Sequence, residues 1–180
     1  SYSVSDYPLE DYSTGLIAGQ TVRFLEQHRD NPFALWVSFP DPHEPWVVPE
    51  QYAAMFPPEK IDLPPWPEKE FDQCTPERNR VLYQMLNMAG DDLDDVYGLM
   101  AVYYGMVRFI DDSLGQILDA LEALDLRRNT IVVFCSDHGD FMGEHQMQCK
   151  GGVFYDCLTR VPLIFSCPGE IAVGIRDDSM

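Results

Sequence analysis

Long apolar runs are missing from this 180-residue chain. None approaches the ~18 consecutive residues that a membrane-spanning helix requires, so no such span is expected. Positive charge is scarce as well: 12 Lys and Arg stand against 30 Asp and Glu, for a formal net charge of -18. A field of that sign repels phosphate backbones and anionic lipid, which removes nucleic acid from the expected partners. An anionic small molecule could be drawn in only by a local positive focus, such as a bound metal ion or one well-placed lysine. Cysteine is sparse and poorly spaced for pairing. Cys74, Cys135, Cys149, Cys157 and Cys167 contain no Cys-x-x-Cys pair, and their odd number leaves one over, so neither a disulfide scaffold nor a zinc knuckle is indicated. Cys135 and Cys167, at the ends of apolar runs, are expected as small buried hydrophobes, and cysteine usage leans toward a reducing setting. Ser1-Tyr2-Ser3 does not open a secretory leader, and internal repeats and low-complexity linkers are absent.

What is present suffices for a packed core. With 46% hydrophobic residues, a chain of this length can bury roughly two-thirds of its unfolded surface. Leu16, Ile17, Val22, Phe24 and Leu25 recur at near-helical spacing, with Thr14 as the expected N-cap and His28-Arg29 at the cation-favouring end. Ala34 to Phe39 reads as a buried strand stopped by Pro40-Asp41-Pro42-His43-Glu44-Pro45. Residues 49–79 form a proline-rich stretch, expected to wrap a surface with little regular structure. Asp91-Asp92-Leu93-Asp94-Asp95 lacks the ligand alternation and glycine of an EF-hand loop and reads as a solvated helix start.

Residues 96–125 carry the strongest periodic signal. Met106, Phe109, Ile110, Leu114, Ile117, Leu121 and Leu124 follow at steps of three and four, predicting a long core-facing helix. Thr130 to Cys135 is a β-branched run leading into Ser136-Asp137-His138-Gly139-Asp140, and Leu163 to Ser166 reads as a further short strand. The alternation of helices and strands with long crossovers predicts an α/β layered fold with a mostly parallel sheet flanked by helices. Ligands of such folds sit beyond the carboxyl ends of strands, where His43 and the Asp137-His138 pair are both expected.

Asp137 and His138 supply an oxygen and a nitrogen donor, and Gly139 relaxes the backbone so that both could address one cation. Surface capping by Asp137 and a solvated His138 are the bland alternative. Lys150 is the only lysine in the last 110 residues and precedes Gly151-Gly152, where the backbone can approach an anion closely. His43, between prolines, presents an imidazole from a stiff loop and could donate to an oxyanion or protonate a leaving oxygen.

Taken in order, Val37-Ser38-Phe39 with Pro42-His43-Glu44-Pro45, Tyr103-Tyr104, Ile110-Asp111-Asp112, Ser136-Asp137-His138-Gly139-Asp140, Gly143-Glu144-His145, Lys150 and Thr159-Arg160-Val161-Pro162 resemble the middle and late segments of sulfatases in the alkaline phosphatase superfamily. The resemblance spans nearly the whole chain and is weakest in residues 49–79. It implies that residues 1–180 are part of a sulfatase-like α/β catalytic domain, with the nucleophile segment and a C-terminal subdomain absent and the isolated chain inactive. It further implies Asp137 and His138 as ligands of a divalent metal, calcium first and manganese or magnesium as alternatives. Lys150 and His43 become catalytic contacts to the sulfate group. His145 is a further substrate-binding position, and Arg160 a supporting one.

The nucleophile implied by the family is a formylglycine hydrate, which is not located in this chain. Cys74-Thr75-Pro76-Glu77-Arg78 fits the bare Cys-x-Pro-x-Arg conversion pattern. Its place after the Pro-His segment, and Glu77 beside it, speak for a chance match. The expected substrate is a small-molecule or glycan sulfate ester. A phosphonate monoester or phosphodiester is the alternative, and a non-catalytic α/β module binding a metal or a partner is the rival from another class. Family members are exported, lysosomal or cytosolic, so the resemblance does not choose a compartment.

Overall fold

The computed structural model describes residues 2–65, 71, 76–88 and 92–176. The chain divides into two compact units, Ser1–Asp6 with Pro42–Arg108 and Ser136–Val161, and Tyr7–Asp41 with Phe109–Cys135 and Pro162–Met180. The α/β class expected from the sequence is what the chain adopts.

In the first unit, β1 (Tyr2–Ser5) pairs in parallel with β2 (Trp46–Pro49), Tyr2 opposite Trp46. β2 buries Trp46 and Val48 and runs into the short helix α2 (Glu50–Ala53), whose Tyr52 is also buried. The N-terminal part of the long helix α4 (Leu93–Ala123) covers this ladder. A Cβ added at Gly98 would lie 2.0 Å from the Tyr2 hydroxyl, and one at Gly105 would lie 3.0 Å from Val48 Cγ2, so both positions permit close packing. Asp92 Oδ1 accepts the Asp94 N–H at 3.0 Å, so the acidic group starts α4 as expected.

The rest of this unit is α3 (Glu77–Leu86), the antiparallel hairpin of β4 (Phe141–Met142) and β5 (Gln148–Cys149), and α5 (Asp156–Thr159). Its core is Phe141, Met147, Val153 and Leu158, with Phe71, Leu82, Tyr83 and Leu86 packed against it. Removing each of the larger side chains from water contributes about 1.5–3 kcal/mol.

In the second unit, α1 (Ser13–His28) buries Thr14, Ala18, Thr21 and Leu25, a stripe at steps of three and four. Ala18 and Leu25 join Ile117 and Leu121 of α4 in one core, which Phe33, Val37 and Phe39 border. β3 (Val132–Cys135) pairs antiparallel with β6 (Leu163–Ser166), the span expected for the last strand. The buried Arg127 donates to the Ser166 carbonyl at 3.3 Å and to its hydroxyl.

Several local expectations are corrected. Ala34 to Phe39 has no ladder partner among the described residues and is not a strand, although Val37 and Phe39 still pack against the helical core. The ordered strand lies instead at Trp46–Pro49, a run hidden from pattern reading by prolines at both ends. Thr14 is not the N-cap of α1. It lies inside the first turn, fully buried, and its hydroxyl donates to Asp41. Cys167 is buried as expected, whereas Cys135 is exposed; these two and Cys149 and Cys157 are free thiols. The proline-rich stretch is anchored by Tyr52 and includes α2 and a 3-10 turn at Pro58–Lys60. Trp66, Pro67, Cys74, Thr75 and Asp91 lie outside the described residues. No helix among the described residues is long and apolar enough to cross a membrane.

Candidate functional site

Every candidate site residue falls in the first unit: His43 on one segment, and Asp137, His138, His145 and Lys150 on another. Asp137 and His138 occupy the turn that begins directly after β3. Gly139 makes this turn possible, because an added Cβ there would stand 1.9 Å from the Cys157 carbonyl oxygen. Its N–H donates to the Leu158 carbonyl at 2.9 Å, which ties the turn to α5.

The two donor atoms of the turn face each other. Asp137 Oδ1 accepts the His138 N–H at 2.9 Å, and Asp137 Oδ2 lies 3.5 Å from His138 Nε2. His138 Nδ1 lies 2.9 Å from the Gly139 carbonyl oxygen, which can only accept, so Nδ1 carries the proton. Nε2 therefore faces the carboxylate, as an ion pair when the ring carries a second proton and with its lone pair opposed when it does not. Lone pairs opposed in this way require a proton or a cation between them. Slight burial raises the Asp137 pKa, but the His138 N–H bond, the His138 ring and the Lys150 charge outweigh it and hold the carboxyl below its ordinary range.

Lys150 makes no hydrogen bond or ion pair with the described residues, yet its charge acts on both Asp137 and Cys149. It follows the β4–β5 hairpin, whose turn holds Gly143 at φ 101° and places His145 and Gln146 in the left-handed region, where Cys149 at the end of β5 also lies. The Glu144 carboxylate fixes the turn by accepting the Met142 N–H at 2.7 Å. The His43 loop meets this hairpin through its next residue, since the Cys149 thiol donates to Glu44 Oε2 at 3.8 Å. Burial pushes the Cys149 thiol up to about 11, with the Glu44 and Asp140 charges adding to the shift. Asp140 in turn accepts from the Tyr103 hydroxyl of α4 at 3.4 Å, and burial with that carboxylate raises the Tyr103 pKa.

The His43 ring is exposed, with Nδ1 2.8 Å from the Glu44 carbonyl oxygen, an acceptor that makes Nδ1–H the donor and leaves Nε2 available. It makes no direct contact with Asp137, His138 or Lys150; the link between the loops runs through Glu44 and Cys149. His145 sits among aromatic rings, 4.3 Å from the Tyr155 centroid and 6.1 Å from that of Phe141. Arg160 forms an exposed pair with Asp156 at 3.5 Å. Glu44, Asp140, Tyr103 and Cys149 are the residues that sequence reasoning left without a role. Glu44, Asp140 and Tyr103 enter the sequence analysis only as members of the resembling segments and Cys149 only in the cysteine count; tertiary contact brings them together.

Among the described residues no group of three or more His, Cys, Asp or Glu side chains could by itself hold a metal ion. The chemistry of the Asp137 and His138 donors fits half of such a site: a carboxylate kept ionised, and an imidazole whose free lone pair is fixed by the hydrogen bond on its other nitrogen.

A carboxylate and an imidazole side by side directly after a strand, with a lysine following a nearby hairpin, belong to an α/β protein. Comparison with known proteins narrows the class. The chain belongs to the sulfatase family, whose profile matches residues 2–179. It is 36% identical over 159 residues to the Escherichia coli protein described as uncharacterized sulfatase YidJ, covering 84% of this chain and 30% of that protein. It is 33% identical over 166 residues to human iduronate 2-sulfatase, covering 85% of this chain and 30% of that protein. Among solved structures, the phosphonate monoester hydrolase of Agrobacterium radiobacter is similar with a TM-score of 0.74 and 30% identity, covering 91% of this chain and 34% of that one. The chain thus spans about a third of the length of the relatives it matches.

Proposed function

We propose that the full-length protein hydrolyses sulfate esters and that these residues supply its late metal ligands and anion contacts. The observation that carries the reading is the opposed pair Asp137 Oδ2 and His138 Nε2 within the electrostatic reach of the unpaired Lys150. Asp137 and His138 would hold a divalent cation, calcium foremost, which when bound stabilises charge on the oxygens of the transferred group. Lys150 binds the sulfate oxygens as a point charge. In so acidic a chain, that single ammonium and the cation are what make an anion welcome. His43, with Nδ1–H engaged, holds a proton at Nε2 when cationic and delivers it to the departing alcohol oxygen. The nucleophile of this reading is a formylglycine hydrate outside the described residues.

A second reading keeps the site and changes the ester to a phosphonate monoester, and the similarity to the Agrobacterium radiobacter structure favours it. Assays of the full-length protein on 4-nitrophenyl sulfate and on a 4-nitrophenyl phosphonate monoester, with and without EDTA, separate the two. The sulfate ester should be the better substrate, and chelation should abolish turnover. Preference for the phosphonate ester supports the second reading, and EDTA-insensitive hydrolysis of either removes the metal from the account. Failure on both returns the chain to the non-catalytic alternative.

A further inference from the structure

The helix α3 is the element that holds the loop carrying Lys150. Its Leu82 lies so close to Gly151 that an added Cβ there would stand 2.4 Å from Leu82 Cδ1. Asn79 Nδ2 donates to the Tyr155 hydroxyl at 3.2 Å, and the Tyr83 hydroxyl donates to Gln146 Oε1 at 3.3 Å. Directly after α3, the Met88 N–H donates to the Gln146 carbonyl at 2.8 Å, and Asn87 bridges to Met147. These contacts turn one face of α3 toward the hairpin and its following loop. Arg78 stands one helical turn before Leu82, on that same face.

There the Arg78 guanidinium carbon lies 6.0 Å from the centroid of the Phe154 ring. Phe154 and Arg78 both present their side chains at the surface of this chain. Arg78 forms no ion pair with a described residue, although its neighbour Arg80 pairs with Glu77 at 2.9 Å. An unpaired guanidinium against an aromatic face, in a chain of net charge -18, is a second local positive focus. Phe154 follows Lys150 by four residues, so their Cα atoms are at most about 14 Å apart, and the Gly151 to Val153 turn at 2.8 Å shortens the span. That is within the reach of a short oligosaccharide.

We infer that Arg78 and Phe154 form a substrate subsite: Phe154 offers its ring to the apolar face of a sugar, and Arg78 forks onto a second carboxylate or sulfate group of the same substrate. The inference rests on the sulfate-ester reading and deepens it, naming an anionic glycan with more than one charged group as the substrate class. Arg78, the last residue of the Cys-x-Pro-x-Arg pattern, thereby gains a role that does not depend on Cys74.

The test uses the full-length protein, its Arg78→Ala and Phe154→Ala variants, a sulfated disaccharide bearing a second anionic group, and 4-nitrophenyl sulfate. An unchanged melting temperature of each variant will verify that it folds. Each variant should raise KM for the disaccharide about tenfold and leave kcat/KM for 4-nitrophenyl sulfate unchanged. Equal effects on both substrates, or no effect on either, overturn the subsite. Calorimetric binding of a non-hydrolysable sulfonate analogue of the disaccharide keeps the two readings apart. Loss of binding in Arg78→Ala with no wild-type hydrolysis retains the subsite and removes the sulfatase reading. Hydrolysis by the wild type with unaltered analogue binding by the variant does the reverse.

Discussion

His138 shows how a single hydrogen bond sets the chemistry of a side chain. With Nδ1–H given to the Gly139 carbonyl, Nε2 is the ring atom left to face the Asp137 carboxylate, where a proton or a metal cation can bridge the two. Calcium should therefore raise the melting temperature of this chain by about 5 °C or more at a hundredfold excess over its Kd, and Asp137→Ala should show no rise. Differential scanning calorimetry at several calcium concentrations checks this. The thiols at Cys149 and Cys157 make a second prediction at this scale. Burial pushes both up to about 11 from 9.0, which cuts the thiolate fraction about a hundredfold, while the higher basicity of the thiolate recovers about tenfold in reactivity. Iodoacetamide at pH 8 should thus modify each about tenfold more slowly than it modifies free glutathione, as followed by peptide mass spectrometry. Asp137, His138, Lys150 and His43 stand out in the sequence as candidates because they are ligand-type residues close to glycine or proline. Glu44 and Tyr103 stand in the resembling segments without a role of their own, because what ties them to the candidates is contact with Cys149 and Asp140, far away in the chain.

Among the elements, the two long helices and the strands β3 and β6 were read from the sequence, whereas α3 was not and one expected strand was misplaced, for a physical reason. A helix closes its hydrogen bonds within itself, so the spacing in α1 and α4 suffices to find it. A strand exists only with a partner, and Ala34 to Phe39 lacks one among the described residues, whereas Trp46–Pro49 has Tyr2–Ser5. The turn after β3 depends on Gly139 in a way that mutation can expose. Gly139→Ala forces a methyl group to within 1.9 Å of the Cys157 carbonyl oxygen, so the turn or α5 must move. A cost of about 1–3 kcal/mol follows, a fall in melting temperature of about 3–10 °C, with calcium stabilisation weakened at the same time. Asp41, which accepts the buried Thr14 hydroxyl at the start of α1, makes a pH prediction. Burial raises its pKa above 3.8, against the opposing hydrogen bonds from Thr14 and Ser13. The fold therefore favours the neutral carboxyl. Its contribution is complete below pH 3.8 and is lost as pH rises through the raised folded value. Asp41→Asn keeps an acceptor for Thr14 and carries no charge, so it should melt higher than wild type at pH 7, and the gap should close on acidification.

Over the whole molecule, charge is the dominant feature. A formal net charge of -18 repels itself in the compact state, and the repulsion is screened by salt. Raising ionic strength from about 0.01 to 0.15 M, which shortens the screening length from about 30 to 8 Å, should raise the melting temperature without calcium. At this scale the sequence was most informative, because the ordered spacing of the Pro-His, Asp-His and Lys segments carries the family resemblance that the profile match bears out. What the sequence alone could not supply is how α3 is turned against the Lys150 loop, which depends on packing of Leu82, Tyr83 and Leu86 around Phe141 and Met147. The same packing shapes the neighbourhood in which His43 and Lys150 are proposed to act on one sulfate group. A double-mutant cycle on the full-length protein measures that joint action. His43→Ala and Lys150→Ala should each lower kcat/KM on a sulfate ester by about 10²–10³, and the double variant should lose clearly less than the product of the two. Wild-type kcat/KM in either single variant, or losses that multiply in full, would contradict a shared site.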